Sequence, residues 1–263
     1  MRIALGLEYD GATFHGWQTQ PTGVTVQDTL EKALAQIAGE PIGVVCAGRT
    51  DAGVHASGQV VHFDTLVKRP LTAWVRGVNT FLPPSVAVRW AQPVGEDFHA
   101  RFSAHGRCYR YILLNQPQRS GLWHQRAGWT HHPLDVARMQ QAAAFLLGEH
   151  DFSAFRAADC QAKSPLKIMR RADVAQSGRL IVFDFEAGAF LQHMVRNLVG
   201  SLVYIGQGKH PPEWMSELLL ARQRRLAAPT FSAAGLYLVG VRYEVHWGLP
   251  AAAGCFRPGP PGL

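Results

Sequence analysis

Residues 48–59 read GRTDAGVHASGQ and lie between two strand-like runs, IGVVCA and VVHFD. The segment carries one carboxylate, Asp51, with the guanidinium of Arg49 two residues before it and His55 four residues after. Gly48, Gly53 and Gly58 let such a loop reverse tightly and approach a ligand. A carboxylate on it has two readings: a base or nucleophile toward a bound substrate, or a cap on the loop's own amides. His55 reads as a hydrogen-bonding support for the loop rather than as a proton carrier.

Three other segments bear on that choice. In RCYRYILLN (107–115) a strand puts Tyr109 and Tyr111 on one face and Arg110 on the other. Rings there are core residues or a surface for an unstacked pyrimidine. In FLQHMVRNLVG a helix groups Phe190, Met194, Asn197 and Leu198, and sets Arg196 among apolar neighbours. A guanidinium in such company calls for a carboxylate. In DFHARFSAHGR, His99, Arg101, His105 and Arg107 interleave with Phe98 and Phe102, a mixture that suits looped or single-stranded RNA.

Composition points the same way without deciding it. The net charge is +7, from 26 Lys and Arg against 19 Asp and Glu, so polyanions are the expected partners. Arginine outnumbers lysine 21 to 5, which favours phosphate forks and base stacking; a GC-rich or heat-adapted genome gives the same bias. The four cysteines form no CxxC pair and no secretory segment opens the chain, so reduced thiols in a cytoplasmic protein are expected. No His/Cys cluster has metal-ligand spacing, and no apolar run reaches membrane-spanning length.

The elements that must carry these groups follow from periodicity. RIALGLEYDG alternates as a half-buried strand. TVQDTLEKALAQIAG is a helix capped by Thr25 with Asp28, ended by Gly39, and buried along Leu30, Leu34 and Ile37. Strands near 42–47 and 59–65, a helix near 72–82 (Trp74, Val75, Val78) and the strand VAVRWAQ complete β-α-β-β-α-β. The second half offers RCYRYILLN, an irregular connection over 117–133, a helix at 135–147, and strands LKIMRRADVAQ and RLIVFDFEA turned at Ser177-Gly178. Helices at 190–206 and 211–222 and the strand GLYLVGVRYE follow. The expected fold is α+β: two ferredoxin-like halves, 1–106 and 107–245, joined into a mostly antiparallel sheet. Helices would lie on one side, with a central RNA-binding cleft. A Pro- and Gly-rich flexible tail would run from 246 to 263.

These segments together resemble one family. YDGATFHGWQTQPTGVTVQDTLEKAL is similar to the opening of tRNA pseudouridine synthase I, the TruA family. GRTDAGVHA resembles its catalytic loop, RCYRYIL its tyrosine strand, GEHDFSAF a further signature, and FLQHMVRNLVG and APTFSAAGLYL its last two blocks. The resemblance runs from residue 1 to about 245, in the family's order. Phe231 and Ser232 depart from a more usual small or proline-like pair.

The resemblance implies an isomerase that turns uridine into pseudouridine at positions 38, 39 and 40 of the tRNA anticodon arm, without cofactor or metal. It implies Asp51 as the catalytic carboxylate, Arg196 as its basic partner and Tyr109 as the ring on the target uracil. RNA contacts are implied at Arg49, Arg69, Phe98, His99, Ala100, Arg101 and Phe102, and at Asp159, Cys160, Gln161, Ala162 and Lys163. A homodimer is implied as well, with no membrane partner.

Overall fold

The computed structural model describes residues 1–250. In chain order the elements are β1 (Arg2–Tyr9), α1 (Val26–Ala38), β2 (Val45–Cys46), β3 (His55–Asp64), β4 (Val86–Val94), β5 (Ala104–Asn115), β6 (Gly128–Thr130), α2 (Val136–Ala144), β7 (Gly148–Asp151), β8 (Leu166–Ser177), β9 (Leu180–Ala187), α3 (Met194–Gly206), α4 (Trp214–Ala221) and β10 (Leu236–Tyr243). The fold is mixed α+β with mostly antiparallel pairing. Its described residues divide into two compact units, Met1–Arg107 with 237–250, and Cys108–Leu236.

In the first unit the strands run β4-β1-β3-β10. β1 is a central strand, antiparallel to both β3 and β4. It is therefore buried through Ala4 as well as Ile3, Leu5 and Leu7, and does not show the one-sided burial that its alternation predicted. α1 begins where the sequence places it: the Thr25 side chain accepts from Asp28 N, and Gly39 closes the helix in a left-handed conformation. Leu30 and Leu34 are buried and Ile37 half-buried. The expected helix near 72–82 contains a π-helical turn, Ala73–Gly77, and buries Trp74 and Val78.

β10 is expected with the second half on element order, but it pairs in parallel with β3, Tyr237 opposite His55 and Leu238 opposite Ala56. Element order carries no information about which unit takes a terminal strand. The stretch expected as a tail opens inside a 3-10 turn, Val245–Trp247, and the Trp247 ring lies 5.1 Å from that of Phe98. The remainder, 251–263, lies outside the described residues.

In the second unit the order is β5-β9-β8-β7, with β6 parallel to β5. β8 and β9 form the expected hairpin, Ser177 opposite Leu180. β6 lies inside the stretch read as irregular, and β7 inside GEHDFSAF. Both are too short to show a period. α3 starts at Met194 rather than Phe190 because His193 takes a left-handed conformation (φ 61°) that a helix cannot run through. Phe190 therefore does not share a helix face with Asn197.

Candidate active site

The loop that carries Asp51 is shorter than the sequence suggests, because β3 takes in residues from His55 onward. What remains is locked by the YDGATFHGW segment of the same unit. The Thr50 carbonyl accepts from Trp17 N at 3.0 Å, and its hydroxyl pairs with the Tyr9 hydroxyl at 2.8 Å. The Gly48 carbonyl accepts from the buried Gln59 amide at 2.6 Å. His55 is buried, stacks on Tyr237 at 4.6 Å, and accepts from Gly11 N at 3.0 Å. Gly16 (φ 91°) passes under the loop where a Cβ would stand 2.9 Å from the Thr50 carbonyl oxygen.

Asp51 rides on this frame half-exposed, its own carbonyl accepting from Val54 N at 3.1 Å, and Arg49 is exposed beside it. A carboxylate whose backbone is fixed at so many points can be delivered to one substrate atom with little reorganisation.

The turn 97–107 divides in two. Phe98 and Ala100 are fully buried. Phe98 packs on Tyr243 at 5.3 Å and edge-on to His62 at 6.0 Å, so both residues shape the turn and present no face to a ligand. Arg107, read as one of the interleaved cations, is buried as well; it donates to the carbonyls of Ala47, Ala104 and Arg101 and organises backbone. Its neighbours point outward. Phe102 is 75% exposed, its ring stacked on His99 at 4.3 Å, with the Arg101 guanidinium 5.6 Å from its centre. His99 Nδ1 accepts from the N–H groups of Arg101 and Phe102, and burial, with Arg2 next, lowers its pKa.

In the second unit, Tyr109 keeps 8% of its surface exposed and meets Phe190 edge-on at 5.0 Å. Tyr111 is wholly buried and donates to the Ser232 carbonyl. Arg110, on the opposite face of β5, forms a two-pronged ion pair with Asp184 on β9 at 2.7 and 2.8 Å. Arg196 is half-exposed in the first turn of α3, and its Nε donates to the Phe231 carbonyl at 2.9 Å.

In the segment 159–163, Asp159, Gln161 and Lys163 are exposed, whereas Cys160 is buried. Arg156 holds this segment by donating to the Cys160 and Ala162 carbonyls. Burial would raise the Cys160 thiol pKa, but the N–H groups of Ala162 and Gln192, with Arg156, outweigh it and leave it lowered. Arg69 is exposed, in the first unit, and donates to the Ile37 carbonyl at the end of α1. Among the described residues no group of His, Cys, Asp or Glu could hold a metal ion, and no helix is long and apolar enough to cross a membrane.

Sequence reasoning missed a buried polar network around Asn197. Its side chain donates to the Phe155 carbonyl and accepts from Arg224 and Thr230. The available signal was an amide inside an apolar helix, which must find partners.

A carboxylate on a locked loop, together with exposed arginines and an exposed ring on a basic α+β chain, suits an enzyme that acts on RNA. The family model described as tRNA pseudouridine synthase matches residues 7–103 and 142–244. The tRNA pseudouridine synthase A of Dechloromonas aromatica is 68% identical over 250 residues, covering 95% of both chains. Those of Nitrosomonas eutropha and Methylobacillus flagellatus are each 60% identical over 250 residues, covering 95% of this chain and 90% and 96% of theirs. The chain belongs to the tRNA pseudouridine synthase family and is an isomerase that converts uridine to pseudouridine in tRNA.

Proposed function

We propose that this enzyme acts on the anticodon stem-loop, at positions 38, 39 and 40, with Asp51 as the catalytic carboxylate. The observation that carries the reading is the placement of Asp51, half-exposed on a loop pinned through Thr50, Gly48 and Val54. In the reaction the C1′–N1 bond breaks, the uracil turns, and C1′ joins C5. The C5 proton leaves and N1 takes one up, so the product is an isomer of the substrate and no cofactor is consumed. Positive character grows at the sugar as the bond breaks, and a nearby carboxylate stabilises or captures it.

Arg196 serves as the basic partner of that carboxylate, as the resemblance implies, and Tyr109 stacks on the uracil. Arg49, Arg101 and Phe102 meet the RNA, the last by stacking. Arg69 and the exposed residues of 159–163 supply backbone contacts. The units are ferredoxin-like halves serving an RNA-binding cleft, and the enzyme works in the cytoplasm as a homodimer.

The test is tritium release from tRNA carrying C5-tritiated uridine. Asp51→Ala should abolish release while tRNA binding persists; undiminished release would remove Asp51 from the chemistry. Mapping pseudouridines in tRNA from a strain lacking the protein tests the positions, and losses outside 38–40 would overturn that assignment.

A further inference from the structure

The segment 228–231 lies along α3 as a strap, in register with its first two turns. The Ala228 N–H donates to the Ser201 hydroxyl at 3.4 Å, and the Thr230 hydroxyl donates to Asn197 Oδ1 at 2.7 Å. Phe231 brackets Arg196: its N–H donates to the Arg196 carbonyl at 3.2 Å, and its carbonyl accepts from Arg196 Nε at 2.9 Å. Between these points Gly200 makes room, since a Cβ there would stand 2.4 Å from the Pro229 carbonyl oxygen.

Arg224 ties the strap down from its N-terminal side. Nη1 donates to the Ala227 and Ala228 carbonyls, and Nη2 to Asn197 Oδ1 and Thr230 Oγ1. None of these partners is a carboxylate. Holding a half-buried guanidinium with neutral acceptors alone is a costly way to stabilise a fold, and burial lowers its pKa accordingly. What the arrangement achieves is geometric: four donors of one planar group fix the strap and α3 to each other.

We infer that Arg224, acting with Asn197 and Thr230, is a positioning residue for Arg196. It holds the Phe231 carbonyl where that oxygen fixes the plane of the Arg196 guanidinium. A long arginine side chain otherwise samples many rotamers, and an anion partner needs its Nη pair presented in one orientation. Nε is spent on the carbonyl, which settles the plane. The side chain of Phe231 is not needed for this, because both contacts use backbone atoms. The inference rests on the catalytic reading of Arg196.

The experiment measures single-turnover tritium release at saturating tRNA, tRNA affinity and Tm for Arg224→Ala, Arg224→Lys, Arg196→Ala, Arg196→Lys and the double variant Arg196→Lys/Arg224→Ala. Arg224→Ala should slow release on the order of 100-fold with affinity kept, as a misplaced catalytic group does. Arg224→Lys should not restore the rate, since an ammonium lacks the planar fork. In the Arg196→Lys background, Arg224→Ala should cost little more, because the group it orients is already gone. A purely structural role predicts instead that the two losses multiply, or that the rate falls only in step with Tm, and either result would overturn the inference. Full activity in Arg224→Ala beside a slow Arg196→Ala would overturn it alone. Full activity in Arg196→Ala would overturn the reading of Arg196, and this inference with it.

Discussion

The backbone N–H of Gly11 donates to Nδ1 of His55 at 3.0 Å, tying the turn that follows β1 to the first residue of β3. The donor is buried, so the ring nitrogen is its replacement for water. Asp10 Oδ1 lies 3.1 Å from the same ring nitrogen. His55→Phe keeps a ring to stack on Tyr237 but strands the Gly11 N–H, at a cost of about 1–3 kcal/mol. Tm should fall accordingly. An unchanged Tm with a shifted pH–rate profile would instead make His55 a proton carrier.

Gly16 supplies the second hold on the loop. Its φ of 91° suits glycine, and a Cβ would press on the Thr50 carbonyl one residue before Asp51. Gly16→Ala should cost about 1–2 kcal/mol from the backbone conformation alone. It should slow tritium release more than it weakens tRNA binding, because the displaced atoms carry the carboxylate. Equal losses in rate and affinity would locate the damage elsewhere.

These two contacts also show where the sequence was readable. Thr25, Asp28 and Gly39 announce α1 because caps are local chemistry, written within a few residues. The extent of β3 was not legible: His55 to Gly58 look like loop residues and become strand because Tyr9 pairs opposite Ala56 on one side and Tyr237 and Leu238 pair alongside on the other. Arg107 and Phe98 look like RNA-facing residues until their neighbours are known; the distant Ala47 carbonyl and the Tyr243 ring bury them. Phe190 fits the helical period, yet His193 breaks the helix just behind it. Asp51, Arg49 and Phe102 keep the exposure that their expected roles require, whereas the contact of Arg224 with the strap beside Arg196 depends on the fold and no spacing rule encodes it.

Phe98 and Phe102 give the third prediction, because two rings four residues apart in one motif should fail in opposite ways. Phe98→Ala empties a wholly buried site and should cost about 3–5 kcal/mol of stability. Phe102→Ala removes a ring that is 75% exposed and should leave Tm nearly unchanged. If a base stacks there, tRNA binding weakens by about 1–3 kcal/mol. Filter binding beside thermal unfolding separates the two. Retained affinity in Phe102→Ala would withdraw this ring from the RNA contacts.

The last prediction concerns pH. His62 on β3 is 4% exposed, its Nδ1 accepts from Ala100 N at 3.1 Å, and its ring faces Phe98 and His99. Burial first, then the positive charges of Arg2 and His99, push its pKa down to about 4, with Asp64 opposing. An unfolded histidine titrates near 6.5. Between those values the unfolded chain binds a proton that the folded chain refuses, so stability is complete above about pH 6.5 and falls as pH drops toward 4. The full shift is worth roughly 3 kcal/mol. His99 is shifted in the same direction and steepens the slope. Urea unfolding of wild type and His62→Gln at about pH 7 and pH 4.5 checks the assignment: the wild type should lose more stability on acidification than the variant does. Parallel losses would place the acid sensitivity in other groups. The same protonation takes the acceptor away from Ala100 N, so the turn that carries Arg101 and Phe102 loosens first, and tRNA affinity should drop before the global transition begins.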